Sequence, residues 1–315
     1  LGADLLTVGV LVGMVYLLFR RFIVRPATLS FHDNVIVHPK ALRGMRVDSL
    51  VVGIFILLHV GFRLIGESAA IAAVGADRWQ PFASLLAVFW RGFDTSGMVV
   101  LEHVSWWMAL GLILAFLPYL PYSKHLHIIA APINFLTRPE RAALGTLDSM
   151  DFDDPEAEEF GVQRIEQLGQ TYLLDAFACI MCNRCQDVCP AYITGKELSP
   201  SALEINKRYL IKDKMTALAA GDVSDQPLLG NAISESAIWA CTTCGGCVDI
   251  CPVGNEPMMD IIELRRYRVL TEGAFPIELQ NAFSGIERQG NPWQISAERL
   301  GWSEGLEVPT VETNP

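Results

Sequence analysis

Outside two short stretches, residues 179–189 and 241–251, the 315-residue chain has no cysteine. A disulfide framework spread over the fold is therefore excluded. Positive charge is also scarce: 24 Lys and Arg stand against 35 Asp and Glu, a net charge of −11. Without a basic footprint, nucleic acid is not expected as a partner. No G-x-G-x-x-G follows a strand-like run, so the loop that cradles a dinucleotide is missing. After residue 137 there are no long apolar runs, and 138–315 has the composition of an ordinary soluble sequence. Before it, 1–19, 49–66 and 104–120 are long and apolar.

All eight cysteines fall into two copies of one spacing, C-x2-C-x2-C-x3-C-P, 62 residues apart. The copies are Cys179, Cys182, Cys185, Cys189 with Pro190, and Cys241, Cys244, Cys247, Cys251 with Pro252. Each copy offers three thiolates from a tight loop to one [4Fe–4S] cube, and its fourth cysteine reaches across to the other cube. This pairs Cys179, Cys182, Cys185 and Cys251 on one cluster, and Cys241, Cys244, Cys247 and Cys189 on its neighbour. Structural zinc is the competing reading of paired C-x2-C motifs. Zinc has no use for a third cysteine at the same spacing, so the expectation is two cubes and electron transfer. Gly245 and Gly246 are expected to let the second loop turn tightly, and Arg184 to lie near the first, as a charge partner or a surface residue.

Three membrane spans are expected, at about 2–19, 49–66 and 100–120. Eighteen helical residues cover about 27 Å, close to the thickness of a bilayer core. The segment 1–19 has neither a basic stretch before it nor an A-x-A site after it, so it reads as a span with residues missing upstream rather than a signal peptide. The connection 20–48 carries Arg20, Arg21, Arg25, Lys40, Arg43 and Arg46, whereas 67–99 carries only Arg78 and Arg91. The positive-inside rule then places 20–48 and everything after the third span in the cytoplasm. Reduced, clustered cysteines independently favour that side. The stretch 79–90, bounded by Trp79 and Trp90, is too short to cross comfortably and reads as an interfacial helix.

After the spans, 127–137 reads as an exit segment along the inner surface and 138–170 as an acidic linker; 147–160 holds seven acidic and no basic residues. Helical patterns cover 202–220, with Ser199-Pro200 as a start signal, and also 231–239 and 258–269. The expected architecture is all-α. A transmembrane domain (1–137) and the linker precede a dicluster α-helical ferredoxin-like domain at 171–275, followed by a C-terminal extension at 276–315.

Residues 174–199, 240–252, 263–273 (ELRRYRVLTEG) and 288–293 (RQGNPW) resemble the membrane-bound iron–sulfur proteins of the heterodisulfide reductase D-like group. Within that group the chain is most similar to the electron-transferring-flavoprotein:menaquinone oxidoreductase type. There a nitrate reductase gamma-like domain precedes the clusters, and 121–129 (PYSKHLHII) resembles the end of its last span. The resemblance implies a flavoprotein-type redox partner, further subunits, a menaquinone acceptor, b haems held by histidine pairs, and a pair of CCG domains about where this sequence stops.

The histidines depart from that pattern. His59 lies about 15 Å from the inner surface by helical rise, and the matching depth on the third span falls near Ala109 and Leu110. Facing His127, the second span offers Ser49. His59, His103 and His127 are the haem-ligand candidates. A His59–His103 pair would need the helices to shift by about two turns, so at most one b haem is expected. Arg63 is expected to snorkel. Tyr122, Lys124, His125 and His127 sit where a quinone headgroup would lie.

The sequence therefore predicts a multi-pass protein of a prokaryotic inner membrane that carries electrons through two cubes between a cytoplasmic partner and the quinone pool. Two alternatives are an electron-relay module of a larger respiratory or photosynthetic complex without its own quinone site, and a heterodisulfide reductase-like protein lacking its catalytic cysteine-rich domains.

Overall fold

A computed structural model describes residues 1–140, 146–155, 159–223, 226–296, 298 and 300–306. Among them there is no β-strand, only an isolated bridge between Leu229 and Ile233. Three helices are long and apolar enough to cross a membrane: α1 (Gly2–Phe19, continued by a π-helical turn to Val24), α2 (Ala41–Val74) and α4 (Thr95–Phe116).

The observed ends differ from those expected. At 34 residues, α2 overruns 49–66 on both sides. Arg43 and Arg46 do not stop it, because arginine has good helix propensity and ends an apolar run without ending a helix, and Asp48 is held by the Tyr119 hydroxyl and the Lys124 amide. α4 begins at Thr95 instead of residue 100, where the Asp94 carboxylate caps the Gly97 N–H at 3.2 Å. It ends at Phe116 rather than 120, just ahead of Pro118 and Pro121.

α2 packs along α4, with α1 against α2. Between α2 and α4 the chain forms α3 (Pro81–Ala87) and a 3-10 turn to Trp90. Its free N-terminal amides at Phe82 and Ala83 are taken by the buried Asp4 carboxylate of α1, at 2.8 and 3.2 Å. The Trp90 indole donates to Ser68 Oγ at 2.8 Å. This short helix is thus bolted to two of the long ones.

The second half is a bundle of short helices around the cysteine loops. α5 (His127–Thr137) packs on α6 (Gln170–Ala178), so 127–137 is part of this domain as well as an exit from the last long helix. Buried Asn134 donates to Asp175 Oδ1 at 2.7 Å and to the Val253 carbonyl at 3.1 Å. α7 (Arg184–Asp187), α8 (Pro190–Ile193), α9 (Pro200–Ala219), α10 (Glu235–Ala240), α11 (Gly246–Asp249) and α12 (Pro257–Arg266) follow, with α13 (Ile277–Gln289) beyond them. The expected helix at 231–239 is confined to α10, because Asn231–Ser234 are spent on a turn and on the Ser234 cap of Ala237. Helix 258–269 is observed as α12 with a π-helical continuation through Thr271.

The stretch 159–168, which has the composition of linker, belongs to the folded domain instead. Val162, Ile165 and Leu168 are buried in the core with Leu203, Leu228 and Ile238. Gly161 adopts φ +82° against α12, where a Cβ would lie 2.3 Å from the Tyr267 nitrogen; only glycine fits there. Residues 156–158 of the acidic run, and 297, 299 and 307–315 of the C-terminal extension, lie outside the described residues.

The connection before α2 is a strap across this domain. Phe31, Val35 and Val37 enter its core, and the carbonyls of Thr28, Ser30 and Ile36 accept from Asn183, Gln186 and Asn206. The domain therefore sits against the strap and the corner that follows α4.

Candidate metal centre

Both cysteine loops are built alike. α6 stops at Cys179 and α10 stops at Cys241, because the chain turns extended at each of these residues. Two left-handed residues then wrap each loop: Met181 and Asn183 in the first copy (φ +56° and +63°), Thr243 and Gly245 in the second (φ +51° and +73°). The positions correspond at the 62-residue offset. Gly245 supplies that conformation freely, and asparagine is among the few other residues that tolerate it. Gly246, by contrast, opens α11 and has no left-handed φ, so of the two glycines Gly245 alone makes the turn. The one-turn helices α7 and α11 carry Cys185 and Cys247 inward; Pro190 starts α8 directly after Cys189, whereas Pro252 sits in a turn after Cys251 and α12 starts at Pro257.

Cys179, Cys182, Cys185 and Cys251 line one cavity, with Cys247 also on its wall. The electrostatic neighbours divide the same way. Cys179 and Cys185 feel Cys182 and Cys251, and Cys185 also feels Cys247 across the divide, whereas Cys241 and Cys247 feel Cys189 and Cys244. Cys251 is thus brought to the first loop, and Cys189 to the second. Among the described residues no three His, Cys, Asp or Glu side chains converge on a single-ion position. The case for cubes over zinc therefore stays with the spacing, in which a third cysteine follows each C-x2-C pair.

The donor set fits iron–sulfur clusters electrostatically. Burial, then Glu204, pushes the Cys179 thiol up; burial and the neighbouring cysteines push Cys185 well up; burial raises Cys247 to about 12. Such groups become thiolates at neutral pH only with a strong local positive charge, which iron supplies when bound. The protein contributes two arginines. Arg208 lies beside Cys179 and over the Phe177 ring, and its Nη2 donates to the Ser123 carbonyl at 2.5 Å. Arg265 stacks on Trp239 and donates to the carbonyls of Ile238 and Cys241, the latter at 2.6 Å. Backbone N–H groups of Thr243 and Asn255 point to the sulfurs of Cys241 and Cys251, each at 3.4 Å. Arg184 is exposed, on the wall of the first cavity.

Outer partners hold the loops. Asn183 accepts from Ser201 at 2.6 Å and donates to Thr28, and fully buried Gln186 accepts from Ser199 and donates to Ser30. Behind the first loop, Lys207 is fully buried, with Nζ 2.5 Å from Asp260 Oδ2 and 3.2 Å from Glu204. Burial works against the ammonium, but the two carboxylates outweigh it and raise its pKa. Burial pushes Glu204 well up, while Asp175 rises to about 7, chiefly by burial.

Arg208, Arg265 and Lys207 are missing from the sequence-based expectations because arginines and lysines on a helix normally face solvent. Asn183 was findable. Superposing the two motif copies sets it over Gly245.

The candidate haem ligands are not brought together. His59 Nδ1 is 3.0 Å from the Ala109 carbonyl. His103 bonds the Val99 carbonyl of its own helix and is exposed, about 9 Å along α4 from Ala109 by helical rise. His127 bonds the Lys124 carbonyl, with its ring 5.7 Å from that of His125.

Comparison with known proteins agrees with this geometry. Residues 175–255 match the model of the 4Fe-4S dicluster domain. The chain is 35% identical, over 98% of its own length and 47% of the relative's, to the "Probable iron-sulfur-binding oxidoreductase FadF" of Bacillus subtilis. It is 30% identical, over 95% of its length and 44% of the relative's, to the "EtfAB:quinone oxidoreductase" of Syntrophomonas wolfei. Against the "Probable membrane-anchored ferredoxin" of Chromohalobacter salexigens the identity is 28%, over 52% of this chain and 27% of that one. The chain thus spans about half the length, or less, of these curated relatives. No solved structure matches it. The chain thus joins three helices long and apolar enough to cross a membrane to a 4Fe-4S dicluster domain, and is similar, over about half their length, to relatives named as iron–sulfur oxidoreductases.

Proposed function

We propose that this chain carries electrons from a flavoprotein-type donor to a menaquinone-type acceptor in the membrane. Cys179, Cys182, Cys185 and Cys251 would hold the membrane-side cube, and Cys241, Cys244, Cys247 and Cys189 the outer one. The observation that carries the direction is the unequal placement of the two loops. Cys244 is exposed at the surface, whereas Cys179 and Met181 pack against Ala41 and Met45 at the start of α2. A protein donor can reach the outer loop, and the inner one faces the long helices. The relative named for an EtfAB:quinone pair supports this choice of donor and acceptor. The basic residues of the connection before α2 support three spans with the cluster domain on the cytoplasmic side of a prokaryotic inner membrane.

Bound clusters would supply one-electron storage. The protein's own work is to set their surroundings: Arg208 and Arg265 beside the first cysteine of each loop, N–H groups at the sulfurs, and buried helices that exclude water. The test is anaerobic. The purified protein is reduced chemically, a short-chain menaquinone is added, and the cluster signals are followed by electron paramagnetic resonance. Reoxidation with two electrons per quinone is expected. Signals that persist with quinone, but decay with a larger membrane complex, would favour a relay without its own quinone site.

A further inference from the structure

Between α1 and α2, at the end nearest the cluster domain, lies a cavity of about 270 Å³. Leu17, Val52 and Ile56 form part of its apolar wall, and Arg20, Arg21, Ser49, Lys124 and His125 its polar end. The polar end is built. Lys124 Nζ donates to Ser49 Oγ at 3.0 Å, and Ser49 in turn donates to the Met45 carbonyl at 2.7 Å. Two nitrogens are left over: His125 Nδ1 and Arg21 Nε are buried with no hydrogen-bond partner. Buried polar atoms without partners are rare and costly, and two on residues that line one cavity point to a ligand.

The cavity is also close to the first cysteine loop by two independent routes. Ser49 is one helical turn, about 6 Å, beyond Met45 on α2, and Met45 packs in the cluster that includes Met181 and touches Cys179. On the other side Arg208, beside Cys179, holds the Ser123 carbonyl, and Ser123 is followed by Lys124 and His125.

We infer that this cavity binds the headgroup of a quinone, with a ring carbonyl toward His125 and Arg21 and the prenyl tail leaving between α1 and α2. The inference rests on the quinone-linked reading above and assigns it a place. A flat, uncharged ring with an oxygen at its end matches apolar walls closed by donors. Arg20, Arg21 and Lys124 would draw an anionic lipid headgroup too, but the buried Asp48 carboxylate, which accepts from the Lys124 amide at 3.2 Å, offsets one of these charges, and the rest of the wall is apolar. Conversion to the quinol takes two electrons and two protons. The electrons arrive singly from the reduced iron–sulfur centres, refilled by the flavoprotein-type donor, and the protons come from water through His125.

The test uses the full purified chain with its clusters, titrated with a fluorescent hydroxyquinoline N-oxide analogue of menaquinone. His125→Asn removes the proton-passing ring, and Val52→Phe fills the cavity; the cluster absorbance of each variant reports whether it is folded. Binding about tenfold weaker in both variants is expected. A short-chain naphthoquinone should displace the probe, and phosphatidylglycerol should not. A photoreactive naphthoquinone should label the end of α1 and residues 49–56 of α2. Labelling elsewhere, or wild-type affinity in both folded variants, would overturn this site while leaving the quinone reading intact. Displacement by phosphatidylglycerol alone would make the cavity a lipid site. A wild-type protein that binds no probe would overturn the quinone reading and this site with it.

Discussion

His59 donates its Nδ1 hydrogen across the α2–α4 contact to the carbonyl of Ala109, at 3.0 Å. The two residues lie at one depth, where a second imidazole would have to stand to complete a haem site. Alanine has no ligand to offer, and its carbonyl already holds the ring. A low-spin b haem needs two strong axial ligands. A pyridine haemochrome assay on the purified protein is expected to find no more than one haem per chain. His59→Ala should leave the cluster signals and quinone-driven reoxidation unchanged. Two haems per chain would mean that the α2–α4 register is wrong.

The cysteine pairing predicts about eight irons and eight acid-labile sulfides per chain, with magnetic coupling between the reduced cubes. Cys251→Ser should damage the cube held by Cys179, Cys182 and Cys185, although those residues lie more than sixty positions upstream. Damage confined to the cube of Cys241, Cys244 and Cys247 would refute the crossed arrangement.

Among the described residues Arg265 has no acidic partner in its hydrogen bonds. Its guanidinium is spent on two carbonyls and the Trp239 face beside Cys241. Arg265→Gln keeps a donor and removes the positive charge. The outer cube should become harder to reduce, its potential falling by on the order of tens of millivolts, while the inner cube stays unchanged. Redox titration followed by electron paramagnetic resonance separates the two.

Topology can be read with fusions. The cluster domain rests on the strap before α2 and on the corner after α4, which places both at one end of the helices. A reporter active only when exported should work after Gly75. One active only in the cytoplasm should work after Thr137. The reverse at either point would overturn three spans with an outward N-terminus.

The all-α class, the long helices and the cysteine loops were legible because each has a local signature: apolar length, helical spacing, and a motif repeated at 62 residues. The strap was not. Residues 26–40 look like a polar connection, since Ser30, Asn34 and His38 give no periodic pattern, and their partners on 183–206 are set only by tertiary docking. Likewise Lys207 and Arg208 sit on a helix whose near-neutral patterning hides that its first half is buried nearly all round. Val162, Ile165 and Leu168 are masked because an acidic run beside them dominates the local composition.

The strap also sets an order of events in biosynthesis. Thr28, Ser30 and Asn34 wait for partners 155 to 161 residues downstream. At about 5–20 residues per second that is roughly 10–30 s of translation. During that interval the start of α2, with Ala41 and Met45, has Phe31 and Val37 beside it but lacks Met181 and Ile205. The anchor is finished only when residues 179–211 have folded around their iron. A cell short of iron would therefore accumulate a chain whose membrane half is inserted but open, and quality-control proteases would meet it there first.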